Sequence, residues 1–195
     1  MAGVPLKKKF QDLRDKIQSQ SFQENRGLSN EVGYYIFDYD PRKEMYVRGE
    51  IGDIVRQTTV ATVGVNVQVF NLYDIMLDII DKFGYRQGFI DLEKSSGMTQ
   101  VIDWINNILE MNEEHNLIVR YIGDHLNKDG PTILFVTGVG QVYPIIRAHK
   151  VLNTMTQVID QIPVMMFYPG NYNSVRLQAF GELQEDNYYR AFHFE

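Results

Sequence analysis

Two carboxylates close the first predicted strand: Asp38-Tyr39-Asp40, followed by Pro41 and Arg42. Alternate residues of a strand share a face, so such a pair can hold Mg²⁺ or divide the roles of nucleophile and acid. The phosphatase motif of the Asp-x-Asp type carries Thr or Val two residues later, where this chain has Arg42. No matching lysine-plus-acidic set follows downstream. An Asp before Pro also caps a turn, and for a lone motif that structural reading outweighs the catalytic one.

A second candidate is Gly138-Val139-Gly140, between a predicted strand and a predicted helix, where a phosphate-cradling loop would sit. The dinucleotide fingerprint would need a third glycine where Tyr143 stands, and a Walker loop would need a Gly-Lys-Ser/Thr that the chain lacks. The loop therefore reads as a tight strand-to-helix turn. The histidines, His115, His125, His149 and His193, show no i, i+4 pair and no acidic partner at a fitting offset, so no metal site is expected. There is no Gly-x-Ser-x-Gly elbow, and the absence of cysteine excludes thiolate nucleophiles, thiolate metal sites and disulfides. The residues thus hold no recognisable catalytic set, and no cofactor is expected.

The last third of the chain is rich in polar aromatics and arginine: Tyr143, Arg147, His149, Tyr168, Tyr172, Arg176, Tyr188, Tyr189 and Arg190. Tyr and Arg join large contact area to directed hydrogen bonds and are over-used at protein interfaces. The competing reading makes half of them ordinary sheet and helix residues with a polar tip. In the final run Tyr188, Arg190, Phe192 and Phe194 share one face while Tyr189, Ala191 and His193 share the other, so both cannot be dry core.

These residues hang on a framework centred on Pro131–Gly170. Two all-apolar strands, Thr132–Thr137 and Pro163–Tyr168, flank a helix opened by Pro144, the pattern of a parallel βαβ crossover. Leu6, Phe10, Leu13 and Ile17 form a helical stripe over Pro5–Gln20. Tyr34–Asp40 reads as a strand, and Arg42–Thr58 as a helix turning Met45, Ile51, Ile54 and Val55 inward. Val65–Leu72 reads as a strand running into a helix that ends at Gly84. A linker with Gly84 and Gly88 then leads to a helix starting near Ser96, and another covers Glu113–Asn127. At the end, VRLQAFGEL and NYYRAFHF read as an antiparallel hairpin added to a parallel sheet. The expected fold is a three-layer α/β sandwich, P-loop- or Rossmann-like without a nucleotide motif. Residues 1–30 form an N-terminal helical extension and loop, and 31–195 a single α/β domain.

With 195 residues, 44% of them hydrophobic, the chain can bury a proper core. No run of about 18 apolar residues occurs, which argues against a spanning helix, and the charged start lacks the apolar region of a signal peptide. A cytoplasmic location is expected. The net charge of −6 opposes direct DNA binding, and the one basic cluster, Lys7-Lys8-Lys9 with Arg14 and Lys16, reads as a solvated helix start.

The segments VTGVGQVYPIIRAHKVLN, MMFYPGNY, RLQAFGEL and DNYYRAFHF, in that order, closely resemble the BrxB family of BREX bacteriophage-exclusion systems, and DYDPRKE and VFNLYDIMLDIIDKFG extend the likeness over most of the chain. The resemblance implies an antiviral-defence component of bacteria without an enzymatic activity of its own. It would act as an accessory or assembly subunit beside a large ATPase, the methyltransferase PglX and the alkaline-phosphatase-like PglZ. PglZ is the partner it points to, with Tyr143, Arg147, His149, Tyr168, Tyr188 and Arg190 as the expected anchors. The alternative from the residues is a nucleotide- or phosphate-binding module, or a weak metal-dependent phosphoesterase, using Asp38, Asp40 and the Gly138–Gly140 loop.

Overall fold

The computed structural model describes residues 4–24, 33–112, 116–127, 129–172 and 191–195, and the backbone of 177–179 and 183–185. In chain order, α1 (Leu6–Gln18) and α2 (Gln20–Gln23) precede β1 (Tyr34–Tyr39), and a 3-10 turn (Pro41–Lys43) leads into α3 (Glu44–Gln57) and α4 (Val60–Val63). Then come β2 (Asn66–Asn71), α5 (Leu72–Lys82), α6 (Arg86–Ser96), α7 (Met98–Ile108), α8 (Leu117–His125) and β3 (Thr132–Thr137). The chain continues through α9 (Val139–Val142), α10 (Ala148–Val158) and β4 (Val164–Tyr172) to β5 (Leu177–Ala179), β6 (Leu183–Glu185) and β7 (Phe192–His193).

The central sheet has the order β2-β3-β4-β1-β7, with every neighbouring pair parallel. This is the expected α/β sandwich. Strands β3 and β4 are apolar on both faces because helices cover both. On one face α1, α2 and α3 bury Phe10, Leu13, Ile17, Phe22, Val47, Ile51 and Ile54 against Phe37, Phe135, Met165 and Phe167. On the other, α5, α7, α8, α9 and α10 close over Tyr34, Ile36, Leu134, Val136, Val164 and Met166. The longer covering helices, α1, α3, α5, α7, α8 and α10, bury apolar residues at the 3.6-residue period. Polar caps fix where helices begin: the Asn71 side chain accepts from the N–H of Tyr73 (2.9 Å), and Asn116, fully buried, accepts from Val119 (3.0 Å) while donating to Thr154 (3.0 Å).

Several expectations are corrected. The stretch expected as a linker before Ser96 is helix α6, which packs on α7 and buries no residue completely, so its apolar signal is weak. Pro144 does not open a helix: Gly138, at φ +76°, starts the single turn α9, the Tyr143–Pro144 peptide is cis, and α10 begins only at Ala148. Met45 is 77% exposed, because α3 starts at Glu44 and its inward stripe is Val47, Ile51 and Ile54. Among the described residues, the C-terminal runs do not form one hairpin. β6 runs from the end of the first run into the stretch expected as the turn and pairs antiparallel with β5, which itself pairs antiparallel with the Gly170–Tyr172 end of β4. β7 instead pairs parallel with β1, taking the place beside it that β4 leaves open.

Candidate functional site

The segments leaving β1 and β3 cover opposite faces, so the loops part above the carboxyl ends of β1 and β4. Open parallel sheets bind ligands at such a place. Asp38, the next-to-last residue of β1, sits there with both carboxylate oxygens engaged. Oδ1 lies 2.5 Å from Lys9 Nζ and 2.8 Å from His193 Nε2, and Oδ2 accepts the Tyr172 N–H at 2.9 Å. Lys9 Nζ also donates to the Asp38 carbonyl at 3.1 Å. Burial would raise the Asp38 pKa, but the Lys9 charge and the hydrogen bonds from Lys9, His193 and Tyr172 outweigh it and hold the carboxyl below its ordinary range. With Asp38 ionised, the hydrogen it accepts from the imidazole resides on Nε2. The ring of Tyr172 stands edge-on to His193 at 5.7 Å, and its hydroxyl donates to the Ala191 carbonyl at 2.8 Å. A cavity of about 530 Å³ adjoins this cluster, walled further by Leu6, Lys43, Asn171 and Glu195.

The lock joins three elements distant in sequence: α1 through Lys9, β1 through Asp38 and β7 through His193. Sequence reasoning missed it. The available signal was Lys9 on the inward stripe of α1, beside Phe10 and one turn before Leu13, where a charge is out of place. Lys16, one heptad further, is a second inward cation: its Nζ lies 4.0 Å from the Tyr35 ring centre, 5.3 Å from Phe194 and 5.5 Å from Phe22. Burial lowers the Lys16 pKa. Arg14 pairs with Glu50 at 2.8 Å and Lys8 with Asp12. The basic cluster expected to be a solvated helix start is therefore solvated only in part, since Lys9 and Lys16 face the sheet.

The two aspartates do not share a task. Asp40 lies at the surface and caps the 3-10 turn, accepting from the Arg42 N–H at 3.0 Å and from its guanidinium at 2.6 and 3.0 Å. Those bonds lower its carboxyl to a pKa of about 2. Among the described residues no group of three or more His, Asp or Glu side chains is placed to hold a metal ion. At Gly138 the space beside the backbone is already filled: a Cβ there would collide with the Asn71 carboxamide, which itself donates to Gln141 at 3.0 Å. The loop thus packs against the cap of α5.

Of the expected interface residues, Tyr168 is 1% exposed and belongs to the core. Tyr143 is half-buried, Arg147 is exposed as the N-cap of α10, and His149 is half-buried in the first turn of that helix, so these three lie in one segment beyond the carboxyl end of β3. Asn106 of α7 braces that segment by donating to the Ile145 carbonyl at 2.8 Å. Tyr188 and Arg190 lie outside the described residues, as do Arg176 and Tyr189.

Comparison with known proteins agrees with the resemblance seen in the sequence. The family model described as BREX protein BrxB matches residues 68–194. A BREX protein BrxB of Bacillus cereus (strain H3081.97) is 40% identical over 187 residues, covering 96% of each chain. One of Escherichia coli O9:H4 (strain HS) is 25% identical over 192 residues, covering 98% of this chain and 92% of its own. No solved structure matches the chain significantly. By sequence and by extent, the chain belongs to the BrxB family of BREX proteins.

Proposed function

We propose that this chain is a non-enzymatic assembly subunit of a BREX phage-defence complex and that its direct partner is the PglZ-like protein. The observation that carries this reading is the state of Asp38. The buried carboxylate at the carboxyl end of β1 spends both oxygens on Lys9 of α1, His193 of β7 and the Tyr172 N–H of β4. Using it as a nucleophile or metal ligand would require breaking the fold's own lock. Asp40 serves as a cap and Gly138 as a packed turn, so the groups a phosphoesterase or phosphate site would use already have structural work. The partner surface proposed is the Tyr143–His149 segment, with Tyr188 and Arg190 as further anchors.

The test is co-expression with the PglZ-like protein, followed by size exclusion with light scattering. A joint peak at the summed mass is expected, and Tyr143→Ala with Arg147→Ala should weaken it with little change in melting temperature. Two well-folded proteins eluting separately would refute the assignment of PglZ. An Mg²⁺- or nucleotide-dependent rise in melting temperature that Asp38→Asn abolishes would instead favour the phosphoesterase reading.

A further inference from the structure

Strand β2 ends the sheet on the side away from β7, and among the described residues nothing pairs with its outer edge. Its register with β3 is unbroken from Asn66↔Thr132 to Asn71↔Thr137, and the Asn66 N–H donates to the Pro131 carbonyl at 2.9 Å. In a parallel ladder, alternate residues turn to the same neighbour. Asn66, Gln68 and Phe70 therefore bond β3, and Val67 and Val69 turn their N–H and C=O groups outward. Edge strands are normally blunted by lysine, proline, a bulge or extreme shortness. β2 has none of these: it is six residues long, uncharged and free of proline. The opposite edge, β7, is only two residues long.

The face beside this edge is uncovered at its carboxyl end. Val65, Val67 and Val69 are 0%, 8% and 40% exposed, so α3 withdraws toward the carboxyl end of β2. There a cleft of about 420 Å³ opens between α3 and β2, floored by Ile51, Val55, Val69 and Phe167. Arg48, Gly52 and Arg56, four residues apart, border it along α3. Arg48 uses Nε for Glu44 (2.7 Å) and Arg56 one terminal nitrogen for Asp53, and their other guanidinium nitrogens make no hydrogen bond among the described residues. Both oxygens of Glu44 are taken, by Arg48 and by the Tyr39 hydroxyl. The open charged groups of the cleft are thus donors, and carboxylates complement them.

We propose that β2 is a docking edge for an extended segment of a protein partner. The segment adds as a strand along Val67–Val69 and carries apolar side chains for the α3 cleft and carboxylates for Arg48 and Arg56. The inference rests on the reading that the chain binds a protein partner, but it uses a different surface from the Tyr143–His149 segment.

The test is hydrogen exchange on the chain alone and on the complex purified after co-expression with the other BREX proteins. The outward amides of Val67 and Val69 should exchange at least about tenfold more slowly in the complex. Val69→Pro removes an outward N–H that the β3 ladder does not use, and Val69→Lys supplies the missing edge guard with the backbone intact. Either variant should keep the fold by circular dichroism and lose the partner, and Arg48→Gln with Arg56→Gln should weaken binding most at low salt. Unchanged exchange, together with normal binding by a folded Val69 variant, overturns the docking edge and leaves the assembly reading standing. Protection given by a BREX protein other than the PglZ-like one keeps the edge and removes the PglZ assignment. Protection that rises with concentration of the chain alone assigns the edge to a second copy and overturns the proposal. No co-purifying BREX protein overturns both.

Discussion

Lys9 is a cation on the buried stripe of a helix, 8% exposed at its side chain, and it is tolerated there because Asp38 meets it. Removing one member of such a pair leaves an uncompensated buried charge, which costs about 3–5 kcal/mol. Lys9→Met and Asp38→Asn should each lower stability by an amount of that order in urea melts, and the double variant should recover part of the loss. The same lock sets a pH dependence. The Asp38 carboxyl is depressed in the folded state, so the unfolded chain binds more protons as the pH falls. The stabilisation is complete above the unfolded carboxylate value of about 4 and is lost as pH falls through the lower folded value. Melting temperatures measured from pH 7 to pH 3 should fall more steeply for the wild type than for Asp38→Asn. Gly138→Ala tests the turn: a left-handed φ and a collision with Asn71 should together cost about 1–3 kcal/mol or more.

At the scale of elements, α1 is part of the sheet's covering layer, reaching across it with the Phe10 ring tilted against Phe37 at 4.7 Å and stacked with Phe167 at 6.4 Å. Leu13 is 0% exposed, so Leu13→Ala should cost about 2–5 kcal/mol in transfer and cavity terms. Guanidinium unfolding would read this as a lower midpoint at an unchanged slope. A variant with wild-type stability would mean that α1 does not hold the sheet. Helix α6 should behave differently. It buries nothing completely, so its amides should exchange well before those of α5 and α8.

For the whole molecule, the buried carboxylate at the carboxyl end of β1 is engaged internally, while Arg147 and the Val69 end of β2 are exposed. Under the assembly role we propose, those outward surfaces rather than a reaction centre would carry recognition. The expected readout is a complex rather than a turnover, and variants at Tyr143, Arg147 or Val69 should change mass in light scattering while leaving melting temperature near the wild-type value.

The apolar strands Thr132–Thr137 and Val164–Tyr168, the stripes of α1, α5, α7 and α8, and the capping role of Asp40 were legible in the sequence. Their causes are local, lying in the period of apolar residues and in the chemistry of a carboxylate before proline. Family membership was legible too, since motif order survives without any knowledge of contacts. Only the tertiary structure decided which residues meet. Lys9 and Asp38 are 29 positions apart, and His193 and Asp38 are 155 apart, distances at which no periodicity links them. It also decided that the final strand joins β1 in parallel, that Tyr168 lies in the core, and that β2 ends the sheet among the described residues. Strand order and burial are settled by how layers pack on one another, and residue spacing in one dimension carries no record of that packing.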